Sequence, residues 1–354
     1  MGAEVASIRT GSLLAVGNKI SSVVAVMRSA IRFPEGKTLY SETVAVLQLP
    51  IFLEKGYAMK NTIFRGAATA IITPMKQDGS VDYDTFARLI EFQIEGGISA
   101  IVVCGTTGEA ATLSTEEHIS VIEFCVKTVA GRVPVIAGTG SNDTAYGIEL
   151  NRLACQAGAD ALLMVTPYYN KATQNGLYEH FKRMADATEK PNILYNVPSR
   201  TGCNLKPETV ARLADHPMIV GVKEASGDLS QVATLAALCG DKIDIYSGND
   251  DQILPVLSLG GAGVISVLSN PLPAETEAIC RKFFAGDTEG AKELQLRYLP
   301  LVHLLFCEVN PIPAKAAMSA MGFGENALRL PLTPMEKKNE EALLAEMKKQ
   351  NILA

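Results

Sequence analysis

No stretch of the sequence supplies the ~18 consecutive apolar residues of a membrane-spanning helix, which sets aside that class of protein. Nor is there a cluster of lysine and arginine dense enough to neutralise a phosphate backbone; the net charge is −6, and nucleic acid is not an expected partner. The seven cysteines, at 104, 125, 155, 203, 239, 280 and 307, are odd in number and include no CxxC pair, so neither a disulfide framework nor a zinc site is indicated. A reducing, cytoplasmic setting fits that usage. The four histidines, at 118, 180, 216 and 303, form no cluster with acidic residues at metal-ligand spacing, so metal-dependent aldol chemistry is disfavoured and no metal or cofactor is expected. No GxGxxG follows the first strand candidate, and "GTGSND" after the third lacks the rest of that fingerprint, which argues against a dinucleotide-binding open sheet.

What the sequence does contain is enough apolar material, 47% of 354 residues, for a large core. Residues 1–58 stand apart: they have scattered apolar residues and few acids, without a sustained helical or strand period. They read either as a targeting segment or as translated sequence upstream of a natural start at Met59, and in both cases as an extension outside the fold. Ala6 occupies the position where a myristoylation signal needs Ser or Thr.

From Phe64 onward, short apolar runs alternate with helix-length segments. The runs are "AATAIITPM", "AIVVCGTTG", "VPVIAGTG", "ALLMVTPYY", "NILYNVP", "IVGVKEAS", "DIYSGND" and "GVISVLSN", eight strand candidates in all. Between them, "STEE" (Ser114, Glu117) and "DLSQ" (Asp228, Gln231) have capping-box spacing. Near-continuous apolar strands separated by helices imply a parallel sheet covered on both faces, and eight such units imply an α/β fold, the closed (β/α)8 TIM barrel, over residues 59–286. A doubly wound open sheet is the alternative. Residues 287–354 contain three segments helical in pattern, "DTEGAKELQLRYLPLVHLLF", "NPIPAKAAMSAMGF" and "TPMEKKNEEALLAEMKKQ", and read as a C-terminal helical addition packed on the barrel.

Barrel enzymes carry their chemistry at the C-terminal ends of the strands. Several strand candidates end in polar groups: Thr106 and Thr107 on the second, Tyr168 and Tyr169 on the fourth, Tyr195 on the fifth and Lys223 on the sixth. Alternation places Ile219, Gly221 and Lys223 on one face, with Gly221 leaving room beneath the lysine, and Ile193, Tyr195 and Val197 on the matching face of the neighbour. Adjacent strands lie ~4.8 Å apart, so Lys223 and Tyr195 can meet over the barrel mouth. A lysine in an apolar mouth is held towards its neutral, nucleophilic form, which suits Schiff-base chemistry with a carbonyl compound. A nearby phenol could then move the protons, and Tyr195 is placed for that task. Taken singly, a strand lysine such as Lys223 is more often a solvated edge residue, Tyr195 a core or rim tyrosine, "NPIP" a helix boundary and His118 a surface or packing histidine; the eight-strand context raises Lys223 above that reading.

Taken together, "GTTGEAATLS", "TPYYNKATQNGLYEHF", "YNVPSRTG", "GVKEASGD", "GVISV" and "NPIPAK" resemble the signatures of the dihydrodipicolinate synthases, within the pyruvate-dependent aldolase and lyase superfamily that includes N-acetylneuraminate lyase. The resemblance runs from about Met59 to the C-terminus, with no counterpart for residues 1–58. It implies that Lys223 forms an imine with pyruvate and that Tyr195 carries protons in a relay with Thr106 and Tyr169, the last contributed across a tight dimer interface by a neighbouring subunit. It implies further that Thr107 holds the pyruvate carboxylate, that Gly248 and Ile265 line the pyruvate pocket, and that Arg200 binds the carboxylate of aspartate semialdehyde. The implied reaction makes 4-hydroxy-tetrahydrodipicolinate on the route to diaminopimelate and lysine, in a homotetramer built as a dimer of tight dimers.

Another pyruvate-dependent lyase acting on a sugar acid or other 2-oxo acid, and a catalytically silent metabolite-binding barrel, are the alternatives. A lysine-effector pocket is implied near Ala110, Ala111, His118, Asn142 and Tyr168, although Tyr146 and Thr115 replace a carboxylate and a histidine of lysine-inhibited relatives. Ala172 and Asn249 stand where proline and aspartate are more typical, and neither removes a reacting group.

Overall fold

The computed structural model describes residues 61–353 and, before them, the backbone of two strands. Those two, β1 (Val23–Arg32) and β2 (Thr38–Leu47), form an antiparallel pair running from Val23 opposite Leu47 to Arg32 opposite Thr38, although the sequence showed no sustained strand period there. The targeting and upstream-start readings concern residues that otherwise lie outside the described ones. Residues Met1–Ala58 and Met59–Ala354 form separate units.

In the second unit, the eight apolar runs become eight parallel strands: β3 (Gly66–Ala70), β4 (Ala100–Val103), β5 (Val135–Gly138), β6 (Ala161–Val165), β7 (Asn192–Asn196), β8 (Ile219–Glu224), β9 (Asp244–Ser247) and β10 (Gly263–Ser266). They close into a barrel in chain order, with β10 pairing back onto β3. That seam needs glycine, since a Cβ on Gly263 would stand 1.8 Å from the carbonyl oxygen of Gly66.

The strands look uniformly apolar because both faces are buried, yet the faces differ. Ala68, Val102, Ile136, Leu163, Ile193 and Ile265 fill the barrel interior. Ile101, Val103, Val135 and Val264 pack outward against helices such as Tyr83–Glu95 and Thr115–Val129. The interior is closed below by Phe64 and Tyr246, whose rings stack at 4.3 Å and whose phenol donates to the Phe64 carbonyl.

Ser114 and Glu117 form the expected capping box, the Ser114 hydroxyl accepting from the Glu117 N–H and the Glu117 carboxylate accepting in return. Asp228 caps its helix, but Gln231 does not complete a box. Its side chain reaches instead to Asn204 and to the Glu224 carboxylate. The C-terminal helices Thr288–Leu305, Ile312–Ala320 and Lys337–Lys349 share an apolar cluster with Leu268 and Leu272, which follow β10, so they are packed on the barrel. Among the described residues, no helix is long and apolar enough to cross a membrane, and none of the seven cysteines forms a disulfide.

Candidate active site

Parallel pairing of β7 with β8 sets Tyr195 opposite Lys223, and pairing of β8 with β9 sets Lys223 opposite Tyr246. The register slips between Asn192 and Ile193, and the expected shared face of Ile219 with Gly221 and Lys223 fails there. Ile219 packs outward with Leu194 and Val222. The space left by Gly221 is occupied by the Tyr246 ring, which would stand 3.2 Å from a Cβ at that position. Gly248 serves the lysine more directly. A Cβ there would lie 2.5 Å from that of Ala225 and 3.1 Å from Cε of Lys223, so the stem of the lysine requires its absence.

Lys223 and Tyr195 are 6% and 7% exposed, and the Lys223 Nζ lies 4.4 Å from the centroid of the Tyr195 ring. Burial is the main cause that brings the Lys223 amine down to about 7; Asp250 pulls the other way, and Arg200 adds a repulsion. Burial likewise raises the Tyr195 phenol, with Arg200 and a hydrogen bond to Thr106 opposing it in part. The site therefore holds a substantially neutral amine beside a protonated phenol at neutral pH, which is a nucleophile beside a proton carrier.

Lys223, Tyr195, Thr106, Thr107, Arg200 and Gly248 line one cavity of about 290 Å³ at the C-terminal ends of the strands. Asn249 lines it too. Arg200 sits at its mouth in the short helix Pro198–Thr201 and donates to the carbonyl oxygen of Asn310 at 3.3 Å. Two sequence-predicted residues lie elsewhere. Ile265 is wholly buried in the barrel interior, in the same cluster as Tyr195 but off the cavity wall. Tyr169 is 89% exposed, at φ 74°, and projects from the loop after β6 without reaching the cavity of its own chain.

An adjoining cavity of about 380 Å³ is lined by Ala110, Ala111, His118 and Tyr168, with Thr106 and Asn310 common to both. Asn142 donates to the Tyr168 carbonyl at 3.2 Å. His118 is buried and donates through Nε2 to the Gly138 carbonyl, and burial lowers its pKa. Thr115 and Tyr146, the two departures at this place, hydrogen-bond each other at 2.8 Å.

Sequence reasoning missed Asn310. "NPIP" reads as a helix boundary, and it is one, since the helix Ile312–Ala320 follows; but Asn310 also donates through Nδ2 to the Thr107 hydroxyl oxygen at 2.9 Å. Nothing local in the motif reveals a partner 203 residues away. The fully buried ion pair of Glu109 with Lys315 was missed for the same reason.

A model of the dihydrodipicolinate synthetase family matches residues 63–350. Among curated proteins, the 4-hydroxy-tetrahydrodipicolinate synthase of Caldicellulosiruptor saccharolyticus is 57% identical over 281 residues, which cover 79% of this chain and 95% of that protein. Among solved structures, the chloride-inhibited dihydrodipicolinate synthase of Acinetobacter baumannii complexed with pyruvate is 46% identical, with a TM-score of 0.81 over 82% of this chain and 100% of that one. The enzyme of Cyanidioschyzon merolae with lysine bound is 41% identical, with a TM-score of 0.80 over 82% and 99%.

Proposed function

Because this chain belongs to the dihydrodipicolinate synthetase family, we propose that it condenses pyruvate with aspartate semialdehyde to give 4-hydroxy-tetrahydrodipicolinate, with Lys223 as the imine-forming residue. The observation that carries the residue assignment is a buried strand lysine, its amine near pKa 7, against the ring of a buried tyrosine. The neutral Lys223 amine attacks the keto carbon of pyruvate, and loss of water leaves an imine. A methyl proton is then removed, giving an enamine whose terminal carbon attacks the aldehyde carbon of the second substrate. Tyr195, hydrogen-bonded to Thr106, carries the protons that these steps release and consume. The amino group of the condensed product finally attacks the imine carbon, closes the ring and frees Lys223.

Thr107, oriented by Asn310, holds the pyruvate carboxylate, and Gly248 lines the pocket that pyruvate occupies, with Ile265 packed in the barrel interior next to Tyr195. Tyr169 completes the proton relay of a neighbouring subunit in a tight dimer, two of which form a homotetramer; its 89% exposure within one chain supports that placement. A cytoplasmic location accords with seven cysteines that form no disulfide.

Arg200 at the cavity mouth selects the second substrate through its carboxylate. Arg200→Ala is expected to raise KM for aspartate semialdehyde by about tenfold or more, the loss of one charge-assisted contact, while borohydride trapping of pyruvate stays intact. Unchanged KM, or better turnover of a sialic acid, would favour a sugar-acid lyase instead.

Inhibition by lysine is expected to be weak or absent. Ala110, Ala111, His118 and Tyr168 line one cavity and Asn142 donates to the Tyr168 carbonyl, but the Thr115–Tyr146 pair supplies no carboxylate for a ligand ammonium. A charged hydrogen bond contributes ~1.5–3 kcal/mol, so its absence weakens binding at least about tenfold. Titrating activity with lysine tests this, and half-inhibition well below a millimolar would show that other contacts sustain the effector.

A chain shortened to begin at Met59 is expected to match the full chain in kcat and KM, because every assigned residue lies between Thr106 and Asn310 in the second unit. A shortened chain that is folded but inactive would assign residues 1–58 a part in activity.

A further inference from the structure

The loop that carries Thr106 and Thr107 is held from a distance. Within it, Glu109 adopts a left-handed backbone conformation, φ 53°, which a residue with a Cβ keeps only where its surroundings enforce it. Its side chain is 1% exposed, as is that of Lys315, which donates to one carboxylate oxygen from the helix Ile312–Ala320. The second oxygen accepts from the backbone N–H of Arg329 at 3.2 Å. The Arg329 guanidinium in turn donates to the carbonyl of Thr112 at the end of the same loop, to Glu117 in the helix that follows it and to the carbonyl of Gly79 in the connection after β3. At the near side, Asn310 donates to Thr107.

Removing two charges from water can cost more than the pair returns, so a buried ion pair is weak evidence for stability, whereas removing one partner leaves an uncompensated buried charge. Here Glu109 stands two residues from Thr107, and Lys315 is the one charged residue of the helix Ile312–Ala320.

We propose that Glu109 and Lys315 act as positioning residues, locking the 105–112 loop so that Thr106 meets Tyr195 and Thr107 presents its hydroxyl to the carboxylate of the substrate. The carboxylate part of this rests on the pyruvate reading above; the locking of the loop does not. Pyruvate affinity thereby depends on a contact that touches no substrate atom.

The test uses Glu109→Gln, Lys315→Met and the double variant in the full chain. Three measurements are made on each: the thermal midpoint, amide hydrogen exchange of peptides spanning 104–113, and the pyruvate concentration giving half-maximal borohydride trapping. The single variants are expected to lose thermal stability, because each leaves one buried charge unpaired. The double variant, which removes both charges, is expected to regain most of that stability. It should nonetheless show faster exchange in 104–113, with the β7 and β8 peptides unchanged, and a half-saturation for pyruvate raised about tenfold or more.

A double variant with wild-type exchange in the loop would overturn the proposal, and so would one with raised exchange but wild-type half-saturation. If the double variant does not fold, Glu109→Gln is measured at a temperature where circular dichroism shows it folded, and the same two outcomes decide. Failure of the wild-type chain to be labelled by pyruvate would retire the pyruvate reading, while loop exchange still decides the lock.

Discussion

Lys223→Ala is expected to abolish covalent labelling by pyruvate and borohydride and to lower turnover by at least about 10³-fold, the scale seen when a covalent nucleophile is removed. The expectation rests on three features of one side chain. It emerges at the C-terminal end of β8, it is 6% exposed, and its amine is brought down to about 7 by burial. An ordinary lysine at pH 7 is neutral in roughly one molecule in 2,500, whereas this one is neutral in about half.

Lys223→Arg supplies a second arm, since it keeps a cation in place but offers no usable nucleophile, and is expected to be as inactive. In the wild-type chain, the rate of trapping should climb with pH up to about 7 and then level, because only the deprotonated amine attacks. Peptide mass spectrometry after reduction locates the label. A label on another lysine, or a labelled Lys223→Ala chain, would end the assignment, and a trapping rate that climbs to pH 10 would remove the lowered pKa from it.

Tyr195→Phe is expected to slow turnover by about 10²–10⁴-fold while leaving the imine able to form. The ring itself would remain against Lys223, so the amine keeps its apolar neighbour, and only the hydroxyl hydrogen-bonded to Thr106 is lost. Borohydride trapping of the variant should therefore approach wild-type extent at saturating pyruvate, and kcat should fall with little change in pyruvate half-saturation. Near-normal kcat would take Tyr195 out of the proton path. Loss of trapping would instead give it a part in forming the imine. Thr106→Val should reproduce a milder version of the same pattern, since it leaves the phenol but removes its partner.

Much of the fold and the centre of the site could be read from the sequence, for a reason that lies in short-range geometry. Strand alternation and helix length are written over ten or fifteen residues, and the eight runs from "AATAIITPM" to "GVISVLSN" became β3 to β10 in order. Neighbouring βα units pair in register, so Tyr195 and Lys223 were placed side by side by their positions along consecutive strands. The same reasoning failed at Ile219, where a slip of one residue in pairing sends the side chain to the other face, an event that alternation alone does not signal.

The sequence by itself thus determined the barrel, the strand ends that carry chemistry, and the lysine and tyrosine that meet there. Tertiary structure alone decided how far Lys223 is buried, hence its pKa near 7, because desolvation depends on everything packed about the amine and not on its chain neighbours. It decided that Asn310 reaches Thr107 and that Lys315 reaches Glu109, pairs separated by 203 and 206 residues, since such contacts follow from where the C-terminal helices dock. It left Tyr169 exposed in the loop after β6, off the cavity wall of its own chain and itself in a left-handed conformation, which no pattern in the chain around it announces.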